Sequence, residues 1–495
     1  MDRGKQTVHA LALGLIGVAA IYATGYLYFV YLSEWFAYHD LGLINDFLAS
    51  LIYHRRLFYV FDMDVNHLTI IFAPSLLLWT PFYAFFDSQF LLIVLNMLSL
   101  AGCVWAFLEL TYVVFGPRLD PWALAAAYAL FLVVVARNVF VWNIMTAAHF
   151  EVFYSLVAAW LIYALIAAGR LWLILGLFFI ALGVRQDAGF FLAFQLLAVA
   201  LLPQGMIKDR RRLRRLCLPL AALGFAYTVW VAKFVFPWLG VDERWHATRF
   251  WAHYGSSFEA IARAMLTSPG RVIDDVIDSA AVSLNGSFLW LHWLNPVVAL
   301  FTNAPGILLY TTSTPHRKYL TGYNSSFIIV GMLLGFVAGL YTLDLWVRQL
   351  TRRRGSSRIA SMALMAALAL LAVVAPRAGA ERATGIDLQK RTPADGRRVL
   401  AFIERGLARC DGIETVATDF RSAVFLPNRV GKYLPDHYQK ADAAFYFPGG
   451  NVYASRLKRM PEFFLTLQQD PQFKLAAAED GMAYFVKAGR RCGAA

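Results

Sequence analysis

Residues 8–32 are almost wholly apolar and form a run long enough to cross the roughly 30 Å hydrocarbon layer of a bilayer as a helix. Inside hydrocarbon the backbone must satisfy its own hydrogen bonds, so helices and closed barrels are the available folds. Comparable runs recur along the chain. Charged residues make up 16% of it and the mean hydropathy is +0.54, whereas an average soluble domain carries about 25% charged residues. These features predict an α-helical polytopic membrane protein.

The net charge of +13 is concentrated in Lys208, Arg210, Arg211, Arg212, Arg214 and Arg215, and again in Arg348, Arg352, Arg353 and Arg354. Such clusters can bind nucleic acid. The plainer reading is short loops kept in the cytoplasm by the positive-inside rule, and no nucleic-acid partner is expected. Arg3 and Lys5 place the N-terminus on that side as well, and the first run reads as an anchor without a signal-peptide cleavage site.

These anchors impose a parity constraint. The first helix leads out, so an odd number of crossings must separate the loop at 32–67 from the basic loop at 208–215. Six apolar segments lie between them: 68–86, 89–114, 121–136, 148–168, 171–184 and 187–204. The segment at 68–86 carries Pro74 and Pro81, which interrupt helical hydrogen bonding, and is expected to be juxtamembrane or re-entrant. The first periplasmic loop then spans about 32–88. A second spans about 237–280, followed by a hairpin at 281–294 and 297–310 divided at Asn295-Pro296. A span at 325–347 leads in and one at 359–376 leads out, giving about nine full spans plus half-helices.

A transmembrane domain over 1–376 is therefore expected to precede a soluble domain over 377–495, where composition turns polar. Arg397-Arg398-Val-Leu-Ala-Phe-Ile-Glu reads as an amphipathic helix, and 413–417, 443–447 and 482–486 as short strands. This is enough chain for a small α/β domain, on the periplasmic side if parity holds. Cys410 and Cys492, near its two ends, are expected to form a disulfide there; Cys103 and Cys217 read as buried thiols. No cysteine or histidine spacing matches a metal site.

The loop after the first apolar run reads Tyr38-His39-Asp40-Leu41-Gly42-Leu43-Ile44-Asn45-Asp46. Charge held near hydrocarbon is costly and tends to mark function, and a carboxylate there can act as general base toward a substrate whose tail lies in the membrane. A membrane-embedded enzyme is the leading expectation, with Asp40 catalytic and His39 beside it. Asp46 suits a substrate contact or, more plainly, a helix cap. Arg55 and Arg56 can grip a phosphate bidentately or simply touch lipid headgroups. Asp62, Asp64 and His67 could hold a divalent cation, although no cofactor is required. His149 with Glu151 and Arg185 with Asp187 fall at helix ends on the same expected side as Asp40; Arg185 and Asp187 read equally as a neutralised ion pair. His316, Arg317 and Lys318 offer positive charge to a phosphate or an interfacial anchor. Walker, Rossmann, Gly-x-Ser-x-Gly and HExxH patterns are missing from the sequence.

Asp40-Leu41-Gly42, then His67, Pro74 and Pro81-Phe82-Tyr83, then Ala148-His149-Phe150-Glu151 and Arg185-Gln186-Asp187-Ala188, resemble the motifs of an uncharacterised family of bacterial predicted membrane proteins. Ala148 and Arg185-Gln186 depart from the usual Asp and Lys-Glu of that family. The family in turn is similar to the type C (GT-C) glycosyltransferases, which take sugars from polyprenyl-phosphate carriers at the outer face of the membrane. The resemblance implies a GT-C-like fold in the bacterial inner membrane, a lipid-linked sugar donor, membrane lipids as partners and a glycan, lipid or protein acceptor in the envelope. It also implies that Asp40 is the base and His149 a site residue. A transporter or flippase is the competing expectation, and a non-catalytic envelope scaffold the third.

The topology is tested by reporter fusions or cysteine labelling at about positions 60, 212 and 440. Positions 60 and 440 should label from the periplasm and position 212 only from the cytoplasm; labelling of 212 from outside would sink it.

Overall fold

The computed structural model describes residues 3–33, 36, 41–240, 249–313, 320, 322–351, 357–374, 392–419, 421–448 and 460–493. His39, Asp40, His316, Arg317 and Lys318 lie outside them, as does the composition boundary expected near 376.

In chain order the helices are α1 (Arg3–Leu32), α2 (Leu43–His54), α3 (Phe90–Phe115), α4 (Pro121–Arg137), α5 (Val139–Ala147), α6 (Val152–Ile166), α7 (Leu171–Leu182), α8 (Ala188–Ala200), α9 (Arg210–Trp230), α10 (Phe236–Trp238), α11 (Phe258–Thr267), α12 (Pro269–Ile277), α13 (Ala281–Ser287), α14 (Pro296–Gly306), α15 (Ser326–Thr351), α16 (Ser357–Val374), α17 (Pro393–Arg409) and α18 (Met460–Gln469). A two-stranded ribbon, β1 (Tyr59–Val60) with β2 (Val65–Asn66), lies in the first loop. Strands β3 (Thr415–Ala417), β4 (Gly431–Tyr433), β5 (Ala443–Tyr446), β6 (Phe473–Glu479) and β7 (Met482–Lys487) lie in the C-terminal part.

Among the described residues, four helices are long and apolar enough to cross a membrane: α1, α3, α9 continued through Trp238, and α15. Counting α4 and α5 as one span bent by 57° gives five. The sequence predicts about nine spans plus half-helices; the other apolar segments are shorter helices, set off where the chain is broken. Asn138 leaves helical geometry and its side chain accepts the Phe140 N–H at 2.9 Å, ending α4 and capping α5. Ala148 takes a left-handed φ of 48°, so the run at 148–168 becomes helical only at Val152. The apolar helices α6, α7 and α8 hold 15, 12 and 13 residues. At 1.5 Å per residue they reach only about 18–22 Å, short of the hydrocarbon thickness. Residues 68–86 form three short 3₁₀ segments, His67–Thr69, Pro74–Leu78 and Thr80–Ala84, as two prolines in one turn-rich stretch require.

The chain divides into two compact units. The first comprises residues 1–21, 96–147 and 151–385. Its axis is α15, in which every residue from 326 to 341 is buried. Polar side chains of neighbouring helices bond to carbonyls of its first turn: Ser155 donates to the Ser326 carbonyl and Gln195 to that of Phe327, both at 2.8 Å. Helices α8 and α9 pack backbone against backbone at Gly189 and Gly224, where a Cβ on Gly189 would stand 2.3 Å from the Gly224 carbonyl oxygen. Small residues permit this close approach in apolar bundles, where dispersion rather than water exclusion holds helices together. The stretch at 237–280, expected as a loop, contains α11 and α12.

The second unit comprises residues 22–95, 148–150 and 386–495. Its mixed sheet has the order β4-β3-β5-β7-β6: β4, β3 and β5 run parallel, while β7 pairs antiparallel with β5 and β6. Asp480 and Gly481, both at positive φ, make the β6–β7 turn, the Asp-Gly pairing that suits a tight hairpin. Helix α17 covers the sheet through Phe402, which meets Phe445 and Phe447 edge-on. The expected amphipathic helix and three strands all have counterparts; β4 and β6 are additional. Phe61 of the first loop is part of the same core as Ala417, Tyr433, Phe463 and Phe485.

Cys410 and Cys492 are disulfide-bonded across a sequence separation of 82, and Cys103 and Cys217 are free and buried. Closing a loop of that length restricts the unfolded chain by about 4–5 kcal/mol in the loop-entropy model. Replacing both Cys410 and Cys492 by Ser should lower the unfolding midpoint of the second unit in a non-reducing melt, and reductant should lower the wild type to the same value. Equal midpoints for wild type and variant without reductant would refute the contribution.

A candidate functional site in each unit

Helix α2 buries its first eight residues, Leu43 to Ser50. Such burial leaves polar side chains there in need of partners. Asn45 donates to the Leu41 carbonyl at 2.6 Å and the Gln89 carbonyl at 3.2 Å, and accepts from the Tyr83 hydroxyl at 2.8 Å. Ser50 accepts the Tyr59 N–H and donates to the carbonyls of Phe47 and Arg56. The helix stops at Arg55, which adopts φ 56° and ψ 28° and returns its N–H to the Ser50 carbonyl.

Asp46 is met by a residue 386 positions away. Lys432, on β4, donates from Nζ to Asp46 Oδ1 at 2.5 Å and to the Val430 carbonyl at 3.1 Å. Both side chains are essentially inaccessible, at 0% and 1% exposure. One residue on, Phe47 stacks on the His67 ring with centroids 3.9 Å apart, and Phe150 meets both edge-on. Burial alone drives the His67 imidazole down to about 3, so the ring is neutral near pH 7. His54 is pushed down to about 4, first by burial and then by the charges of Lys432 and Arg56. His149 is buried with its ring against Phe150.

The sheet is tied to the first loop at further points of this unit. Gln89 donates to the carbonyls of Ala423 and Leu426, both at 2.9 Å, and the Tyr31 hydroxyl to that of Val424 at 2.8 Å. Asp62 accepts the Leu434 N–H at 2.9 Å and pairs with His437 at 3.1 Å. Asp64 is exposed and accepts from Tyr59 and Lys440, of which the Tyr59 bond does most to hold its carboxyl below the usual range. Asp62, Asp64 and His67 thus face different partners, and among the described residues no group of three His, Cys, Asp or Glu side chains could hold a metal ion. Arg55 and Arg56 are exposed, with Arg56 over the Tyr59 ring at 4.4 Å.

The first unit has its own buried charge cluster. Arg185, between α7 and α8, donates from Nη1 to Glu151 Oε1 at 3.0 Å. Its Nε and Nη2 grip Asp187 bidentately at 2.5 and 2.7 Å, and Nη2 also meets the Tyr310 hydroxyl at 2.5 Å. Its guanidinium lies 4.3 Å from the Phe327 ring centroid. Paired so, Arg185 is a buried cation engaged on every side. It joins the N-terminus of α6, the α7–α8 turn and the segment after α14.

The model of a predicted membrane protein family, DUF2079, matches residues 36–381. The chain belongs to this family. No curated protein matches it. The DUF2079 match covers α2, the 3₁₀ segments and the Glu151–Arg185–Asp187 cluster, and it ends before α17 and the sheet that carries Lys432. Sequence reasoning missed Lys432, Tyr310 and Asn45. A lone lysine in Val430-Gly431-Lys432-Tyr433-Leu434 was the available signal, but its partner is set only by the fold.

Lys432→Met leaves the Asp46 carboxylate buried without its cation, which should destabilise the protein by about 3–5 kcal/mol. Adding Asp46→Asn to that variant should restore part of the loss. Thermal unfolding of wild type, both single variants and the double variant provides the cycle; strictly additive losses would show that the two charges are not coupled.

Proposed function

We propose that this DUF2079 protein is a membrane-embedded GT-C-like glycosyltransferase that moves a sugar from a polyprenyl-phosphate donor to a cell-envelope acceptor at the periplasmic face of the inner membrane. The observation that carries this reading is the construction around α2. The stretch that follows the first long apolar helix is a packed element with a buried carboxylate, Asp46, and a neutral histidine, His67, and the carboxylate is met by the buried Lys432 of β4. The desolvation penalty of a buried ion pair can exceed what the pair returns in stability, so a buried carboxylate in the element that follows a helix long and apolar enough to cross a membrane favours a role in holding a site in place. Close packing around α2 also suits catalysis, which needs its reacting groups held within about an ångström.

In this mechanism Asp40, just before α2, takes the proton of an acceptor hydroxyl as that oxygen attacks the anomeric carbon. The bond from that carbon to the phosphate oxygen breaks, and the polyprenyl phosphate leaves with the electron pair. Charge developing on the phosphate calls for cationic donors. Arg55 and Arg56 are exposed and suited to this; Arg185 is committed to Glu151 and Asp187. The lipid tail of the donor stays among the apolar helices.

A transporter is the second reading. A buried Arg–Glu–Asp cluster among apolar helices and a helix pair broken by 57° favour it, because polar groups at helix breaks form the sites of many transporters. Sealed vesicles separate the two: a transporter moves labelled lipid-linked sugar between leaflets without cleaving it.

Asp40→Asn should reduce turnover of a labelled polyprenyl-phosphate hexose by purified protein by about 10²–10⁴-fold, with an unchanged unfolding midpoint. Unchanged turnover would falsify the catalytic role, and a lowered midpoint would make Asp40 structural.

A further inference from the structure

Helices α11 and α12 form a pair whose apolar surface is only half used by the protein. In α12 the residues Val272, Ile273, Val276 and Ile277 occupy one side, and Arg271, Asp274 and Asp275 the other, with Asp278 as the C-cap. At about 100° per residue the apolar side spans roughly 140° of the helix. Half of it is covered: Val272 packs on Trp251, Tyr254 and Ile261, together with Ala264 and Met265 of α11 and Leu309. The other half is bare, since Ile273 and Ile277 are 56% and 63% exposed and Leu266 of α11 is 82% exposed. The polar side is fixed independently, because Asp275 accepts from the Tyr254 hydroxyl at 2.5 Å and Arg271 lies 5.0 Å from the Tyr254 ring centroid.

The place of this pair in the unit says what covers it. The span formed by α9 and α10 exposes Leu218, Leu223, Val229, Trp230, Phe234 and Trp238, the surface a membrane helix turns to lipid, ending in the aromatic residues typical of the interface. The pair is anchored on the segment that continues the apolar helix α14: Leu309 packs against the same cluster as Val272, and the Trp251 indole donates to the Thr312 hydroxyl at 3.2 Å. The pair α11 and α12, with its bare aliphatic side chains, thus follows the lipid-facing span in the chain and packs against the end of another apolar helix.

We propose that α11 and α12 lie in the plane of the membrane, with Leu266, Ile273 and Ile277 inserted at the boundary between headgroups and acyl chains. Amphipathic helices seat their apolar face about 5–10 Å into that boundary. Glu259, Asp274, Asp275 and Asp278 outnumber Arg263 and Arg271 here, so apolar insertion rather than attraction to anionic lipid holds the pair. The second large loop is thereby a membrane-bound element, whichever reaction the protein performs.

The full-length protein, with Cys103 and Cys217 replaced by Ala, is labelled with a bimane fluorophore at Leu266→Cys, Ile273→Cys, Ile277→Cys, Asp274→Cys or Asp278→Cys and reconstituted into phosphatidylcholine nanodiscs. A doxyl group near the top of the acyl chain should quench positions 266, 273 and 277 several-fold more than 274 and 278, and aqueous iodide should reverse that order. Adding anionic lipid should leave the pattern unchanged. Iodide quenching of 273 and 277 equal to that of 274 and 278 would overturn the proposal. So would shielding of 273 and 277 from both quenchers, the mark of a surface covered by protein, such as a second copy of the chain. Labelled proteins are compared only where their unfolding midpoints match the unlabelled protein, and positions 273 and 277 test the inference independently.

Discussion

The second unit depends on the burial of one ion pair. Asp46 and Lys432 are removed from water together, and neither charge is tolerable there without the other. The pairing fixes α2 against β4; bonds donated by Tyr31 and Gln89 to nearby carbonyls, and the Leu434 N–H donated to Asp62, spread the attachment. Phe61 completes it by entering the core of the sheet. Close packing leaves no room for change at this contact: a Cβ on Gly431 would stand 2.9 Å from the Phe61 ring. Chain segments separated by more than 300 residues thus form one folded body, so the first loop cannot be regarded as a connector that acts alone.

The first unit meets the same constraint differently. Arg185 is satisfied within the unit by Glu151, Asp187 and Tyr310, and the aromatic face of Phe327 covers the guanidinium. Around this cluster the helices are short and broken. Asn138 takes over a backbone hydrogen bond at the start of α5, and Ser155 and Gln195 add side-chain bonds to the opening turn of α15. Such replacement is what allows non-helical backbone within an apolar protein interior.

For the chemistry we propose, these pairings sort the cations. Lys432 and Arg185 are held by carboxylates, whereas Arg55 and Arg56 stand exposed at the end of α2. Neutral His54 and His67 add no positive charge near pH 7. A phosphate leaving group would therefore be met by the exposed arginines rather than by the buried cations, and the buried pairs serve to keep the surrounding backbone in place.

Much of the architecture was legible in the residues themselves. Apolar run length marked the long helices, two prolines marked 68–86 as unable to form one continuous helix, and the polar tail showed its amphipathic helix and three of its strands. These are local properties, set by periodicity and by backbone chemistry. Edge strands β4 and β6 escaped because a strand of three residues, or one exposed on a face, has little apolar pattern; the Asp480-Gly481 turn was the overlooked sign of the second. Helices α11 and α12 were hidden because charged residues interrupt each apolar run, although their spacing is helical. Asp46, Arg185 and Asp187 could be named as candidates from sequence, but the partners that define them could not. Sequence order carries no record that Lys432 lies beside Asp46, or Tyr310 beside Arg185. Only the tertiary structure, by burying these charges in two separate clusters, determined which groups pair.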